Sequence, residues 1–350
     1  MTIQLNAIQA IFDLSRFRHT RCVHAFISGL AISCFCTPVS ADDNVVSLNF
    51  DWPVGLQGTI ENYTNYADTT EIDGDHGVQT ESIWKTIRFT VSEQPDGLQF
   101  DYDVMKSSYH PEPDKETVEK QLWQLAYTTI PSHVVSTEGE FVGLTKEQEM
   151  LDKVSKEVDE KYGDSLNKIP EHILSELGSM FQSDYYWAIS YHNWERDIGQ
   201  WISTEMIIGR DYERDGIMEI PFIENTELPY QTTTTLLGFL PCDAKPGDEE
   251  SEYEGSSNGS ESASCVEIEV ASALDENAVA EFVKGKNKES GTDPQTQWKP
   301  KRYHKLNLIT DPDTLIPYAV SEIDVLSLEV DGFPVIIHQQ VIKNTYSYEF

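Results

Sequence analysis

The residue types that could do chemistry are scattered along this chain, and only a few fall at a telling spacing. His172 and Glu176 lie four apart on a predicted helix and so share a face. Two ligands at that spacing can begin a metal site, but the third and fourth would have to come from elsewhere. An exposed helical ion pair is the simpler reading of them. Asp73 and Asp75, beside Gly74 and Gly77, resemble the start of a calcium loop but lack the later oxygen ligands and the terminal glutamate. Asp311 and Asp313 flank Pro312 and read as a turn. His76, His110, His133, His192, His304 and His338 are dispersed. No phosphate-binding glycine loop, zinc-protease helix or nucleophile elbow is present. The sequence therefore points to no catalytic residue, no cofactor site and no metal site.

Aromatic side chains form the densest cluster. Tyr185, Tyr186, Trp187, Tyr191, Trp194 and Trp201 could line a lipid or carbohydrate site, or fill a sheet core. Asn62-Tyr63-Thr64 and Asn258-Gly259-Ser260 match the glycosylation pattern formally. Tyr346, Tyr348 and Phe350 alternate to the terminus, as in the closing strand of an outer-membrane barrel. The intervening helices make an aromatic edge strand the simpler reading.

The cysteines say more. The stretch 1–41 carries Arg16, Arg18 and Arg21, then an apolar run VHAFISGLAISCFC, then Pro38 and Val39-Ser40-Ala41. These are the parts of a secretory signal peptide cleaved between Ala41 and Asp42. Lipidation at Cys34 is a second reading of the same run, since Ala31-Ile32-Ser33 precedes it. Cleavage at Ala41 removes Cys22, Cys34 and Cys36 and leaves Cys242 and Cys265 as a disulfide pair. Between them, 243–264 reads as a flexible acidic loop. The expected location is periplasmic or extracellular. No stretch of the mature chain reads as a transmembrane helix.

Removing the three arginines and Asp13 from 25 basic and 60 acidic residues leaves 22 against 59, a formal charge of −37. Such a surface repels phosphate backbones, so nucleic acid is not an expected partner. It suits a basic protein partner or a salty medium.

Positioning these groups falls to a β-rich chain interrupted by helices. Alternation at Ile83, Ile87, Phe89 and Val91, then Leu98, Phe100, Tyr102 and Val104 after Pro95-Asp96-Gly97, predicts a hairpin. A short helix spans 116–126, and a second hairpin turns at Thr137-Glu138-Gly139. Thr145 with Gln148 predicts a capping box opening a helix to Gly163. Another helix starts near Pro170, with Ile173, Leu174, Leu177, Met180 and Phe181 on its apolar face. Strands are predicted at 185–192 (YYWAISYH), 201–208, 232–240, 266–270, 303–309, 315–330 and 333–348, with a helix at 274–283.

This order predicts an α+β class: one domain over 42–350, with a curved antiparallel sheet and the central helical pair packed against it. That order, in an exported context, resembles the half-barrel fold of bacterial lipoprotein carriers and related envelope proteins. It carries over no functional residue. The expected function is non-catalytic binding of a hydrophobic ligand or a protein partner. The alternatives are a secreted hydrolase using paired carboxylates and an acidic interaction protein using loop 243–264.

Overall fold

The computed structural model describes residues 44–349, apart from 73–74, 111–117, 167–168, 170, 221–225, 247–263, 291–297 and 331–332. The predicted signal peptide, its Ala41–Asp42 cleavage site, Cys34, Phe350 and most of the acidic loop lie outside the described residues. So do the side chains of Asp73, Asp75, His76, His172 and Glu176.

The fold is mainly β. Thirteen strands are described: β1 Val45–Leu48, β2 Gln57–Ile72, β3 Asp75–Gln94, β4 Gly97–His110, β5 His133–Val135, β6 Phe141–Leu144, β7 Thr204–Ile207, β8 Asp211–Glu219, β9 Glu227–Pro241, β10 Ser264–Leu274, β11 Trp298–Thr310, β12 Pro317–Val330 and β13 Phe333–Glu349. Five helices accompany them: α1 Val118–Thr128, α2 Glu147–Leu166, α3 Glu171–Met180, α4 Ser183–Asp197 and α5 Glu276–Ser290. Eleven strands form one antiparallel sheet ordered β6-β5-β4-β3-β2-β13-β12-β11-β10-β9-β8, while β1 pairs with β7. The chain thus makes two runs of up-and-down strands, joined where β13 pairs with β2.

This corrects the α+β expectation. The helical pair α2–α3 exists, but it is not the layer that covers the sheet. It packs chiefly on α1 and α4. The helix set against the sheet is α4, in the segment read as a strand. Its aromatic composition favours a strand. Yet its buried residues include Tyr186, Ser190, Trp194 and Asp197, a spacing of three or four that only a helix puts on one side. Trp187 and Tyr191, four apart, stack at 5.0 Å on its other side. The segment after it is a 3-10 turn, Gly199–Trp201, before β7 begins.

Two further expectations change. The last strand is interior rather than an edge, because β13 lies between β12 and β2. The capping box does not form: Lys146 takes φ 53° ahead of α2, the Thr145 hydroxyl is buried without a partner, and Gln148 Nε2 donates to Asp152 Oδ1 at 2.8 Å.

The main core joins the apolar ends of both strand runs to the base of α4. Leu48, Trp52, Phe89, Val91, Phe100, Val135, Trp194, Ile198, Trp201, Leu236, Ile268, Leu308 and Leu315 are all buried in it. Trp194 Nε1 donates to the carbonyl of Gly139 at 2.8 Å, tying α4 to the β5–β6 turn. Gly139 has φ +87°, and a Cβ there would sit 2.5 Å from Ile202 Cδ1 and 2.7 Å from Phe50 Cγ. The turn therefore demands glycine on both counts.

Cys242 and Cys265 form the expected disulfide. It sits with Leu240, Ile309 and Ala319 in a small core of its own. Disulfides persist in oxidising compartments. Closing 23 residues of chain separation is worth about 3 kcal/mol in the loop-entropy description. Reduction, or Cys242→Ser with Cys265→Ser, should lower the urea midpoint by that equivalent, and a midpoint unchanged by reductant would refute it. Among the described residues no helix is long and apolar enough to cross a membrane.

Candidate ligand-binding cleft

A cleft of about 1580 Å³ opens between α4 and one face of the large sheet. Strand alternation decides what it contains, because every second residue of a strand faces the same way. The register then aligns these residues in rows across β11, β12, β13, β2 and β3. One row reads Leu306, Glu322, Ile342, Thr64, Ile83. The next reads His304, Asp324, Gln340, Tyr66, Glu81, and all ten residues line the cleft. The second row, farther from the core, is polar and charged throughout, while the row on the core side of the first carries Asn344, Asn62 and Lys85.

The apolar end is aromatic. Phe100 stands 5.1 Å from Trp52 and 5.2 Å from Trp194, ring centre to ring centre. His133 stacks on Phe100 at 5.2 Å and meets Phe141 at 5.2 Å, Tyr102 at 5.6 Å and Trp194 at 5.7 Å. Neither ring nitrogen of His133 has a hydrogen-bond partner. Burial pushes its pKa down to about 3, so the imidazole is neutral.

A charged network crosses the middle. Arg196, in the last turn of α4, forks onto Asp197 through Nε–Oδ1 at 2.5 Å and Nη2–Oδ2 at 2.9 Å. Its Nη1 reaches Glu322 Oε2 at 3.2 Å. His304 Nε2 meets the other Glu322 oxygen at 3.0 Å, and Tyr346 donates to Asp197 Oδ2 at 3.1 Å. Burial alone would raise the Glu322 pKa. The His304 hydrogen bond and the Arg196 charge outweigh it and hold that pKa at about 2. Burial also works against the charge on Arg196, but Asp197 and Glu322 reverse that effect and raise its pKa. Farther out, Arg302 forks onto Asp324 at 3.2 and 3.0 Å, and His338 Nδ1 meets Asp68 Oδ1 at 2.5 Å.

Lys85 faces the same cleft from β3. Its Nζ donates to the Tyr127 carbonyl at the end of α1, 3.3 Å away. Among the described residues no carboxylate pairs with it. Tyr127 packs its ring on Tyr66 at 6.1 Å, and Tyr109 donates to the Gln124 carbonyl at 3.2 Å. Burial raises the Tyr66 pKa to about 12, so its hydroxyl keeps its proton.

The aromatic cluster read from sequence is thus brought together. Tyr185, Tyr186, Trp187, Tyr191 and Trp194 line the cleft, while Trp201 lies in the core beneath. They line it from a helix, not a strand. Five dispersed histidines, His110, His133, His192, His304 and His338, converge there as well. The Arg196–Asp197–Glu322 cluster has no sequence signature, since Glu322 comes from a strand 126 residues beyond Arg196. Asn62 faces inward and donates to Asn344 Oδ1 at 2.7 Å, so its formal glycosylation pattern has a structural role. Asp311 and Asp313 form the expected turn, with the Asp313 N–H donating to Asp311 Oδ1 at 2.9 Å. Among the described residues no group of three histidine, cysteine or acidic side chains could hold a metal ion.

No family model matches this chain. No curated protein matches it either. Among solved structures, DynF from the dynemicin biosynthesis pathway of Micromonospora chersina aligns at 11% identity and a TM-score of 0.17, covering 91% of this chain and 92% of its own. An outer membrane channel from Pseudomonas putida F1 aligns at 9% identity and a TM-score of 0.16, covering 88% of this chain and 100% of its own. Likeness at that level carries no argument about fold or function.

Proposed function

We propose that this protein is an exported, non-catalytic binding protein for an amphiphilic small molecule held between α4 and the sheet. The observation that carries the reading is the cleft itself. Its volume of about 1580 Å³ exceeds the roughly 300–1,000 Å³ common for small-ligand pockets. Its wall is mixed, with an aromatic cluster for an apolar chain or ring and polar groups from Asn62 and Lys85 outward for a head group. A wholly apolar ligand would leave the charged half of the wall facing hydrocarbon, which is costly. The disulfide supports a place of action outside the cytoplasm.

Catalysis by paired carboxylates fits this wall poorly. Asp197 and Glu322 are both buried near one another, but both are tied to Arg196. A general acid needs a raised pKa, whereas Glu322 is held at about 2.

The test is direct. Purified protein, stripped by organic extraction, should take up a fluorescent 16-carbon fatty acid saturably, and the extract should contain an amphiphile by mass spectrometry. Ala188→Trp places an indole in the cleft from α4 and should weaken uptake about tenfold or more, the scale of losing a few buried methylenes. An empty extract together with no saturable uptake would sink the proposal.

A further inference from the structure

Among the described residues, every cation of the cleft wall that is shielded from solvent meets a carboxylate, except one. Arg196 is matched by Asp197 and Glu322, and Arg302 by Asp324. Lys85 stands apart. Directly across from it on β2 is Asn62, and on β4 Ser107, neither of them charged. Its one hydrogen bond is to the Tyr127 carbonyl. An ammonium with three donors that spends one on a neutral carbonyl, in a wall where the other shielded cations are neutralised, is incompletely satisfied.

From this we infer that Lys85 is the anchor for an anionic head group, a carboxylate or a phosphate monoester, on the amphiphile held in the cleft. The inference rests on the proposed binding function and names the ligand class. The bound anion would complete the charge match that the protein leaves open, by a charge-assisted hydrogen bond. Tyr66, four residues along β2 from Asn62, packs its ring on Tyr127, the residue whose carbonyl Lys85 reaches. Its oxygen accepts from Gln340 Nε2 at 3.3 Å, so its own hydroxyl hydrogen is suited to a second bond to the head group. A neutral head group would gain at most an ordinary hydrogen bond without the charge match, and a cation would be repelled.

The anchoring role separates from the binding role in one titration. Wild type, Lys85→Met and Lys85→Arg are each titrated with hexadecanoic acid, its methyl ester and hexadecyl phosphate, read by displacement of a neutral fluorescent probe. Lys85→Met should weaken the acid and the phosphate about tenfold or more, as loss of a charged hydrogen bond does, and the ester by no more than about threefold. Lys85→Arg should keep both anions within about threefold, because the charge remains. Ester binding doubles as the check that each variant is folded. Equal weakening of acid and ester by Lys85→Met, or no weakening of either anion, would overturn the anchor while leaving the cleft as the binding site. Uptake of none of the three by wild type would overturn the cleft reading itself. The relative strength of acid and phosphate in wild type tells which head group the site prefers.

Discussion

Arg196→Met should be among the most damaging single substitutions in the described chain, costing about 3–5 kcal/mol of folding stability. The guanidinium is buried and neutralises two carboxylates, Asp197 and Glu322, that are themselves almost out of contact with water. Without it, two anions remain in a desolvated site with His304, His192 and the Tyr346 hydroxyl as weaker offsets. The effect comes from the uncompensated anions, not from a large intrinsic worth of the ion pair. Replacing the three together, Arg196→Met with Asp197→Leu and Glu322→Leu, should therefore recover much of the loss. Urea unfolding of the single and triple variants measures both. A triple variant no more stable than the single one would show that the network was stabilising in its own right.

The pH dependence has a definite sign. The folded-state pKa of Glu322 is lowered from 4.5 to about 2. Its stabilising contribution is thus complete above about pH 4.5 and is lost as pH falls toward 2. Arg196→Met removes the main charge holding Glu322 ionised, so the variant's deficit should narrow as the medium is acidified.

His133→Phe should stabilise the protein, and by more in mild acid than at neutrality. The imidazole is enclosed by Phe100, Tyr102, Phe141 and Trp194, with neither nitrogen partnered. Removing a buried unsatisfied polar group regains about 1–3 kcal/mol, less some cost for the slightly larger ring. The folded pKa is lowered from 6.5 to about 3. Between those values the unfolded chain holds a proton that the folded chain does not. Wild-type stability from this site is therefore intact above about pH 6.5 and falls by about 1.4 kcal/mol per pH unit below it. Phenylalanine has no such slope. Unfolding curves at pH 7 and pH 5 should show the variant's advantage growing by about 2 kcal/mol, and a constant advantage would exclude the neutral, buried imidazole. The proposed binding role would account for that cost, since functional sites tolerate unsatisfied groups.

Much of the secondary structure is legible locally. The hairpin of β3 and β4 follows from near alternation before Pro95-Asp96-Gly97 and clean alternation after it, and Gly97 takes the φ of +147° that the turn requires. The Cys242–Cys265 bond follows from counting cysteines once an exported location is assumed. The α4 segment is misread because its aromatic composition and its helical burial pattern compete. The winner is set by Gly139, Phe50 and the sheet, all distant in sequence. The same holds for β13, whose aromatic tail reads as an edge but lies inside the sheet because β2 supplies its partner.

Strand alternation, the acidic balance, the paired cysteines and the aromatic density of 185–201 can all be read along the chain. They depend on residues a few positions apart, or on composition. Which face those strands turn inward, and which charges meet, is set in the folded molecule. Arg196 and Glu322, or Lys85 and the Tyr127 carbonyl 42 residues on, are joined by register across the sheet and by the seat of a helix. Long-range pairing of that kind leaves no local pattern, because a one-residue change in register would turn every one of these strand side chains to the opposite face.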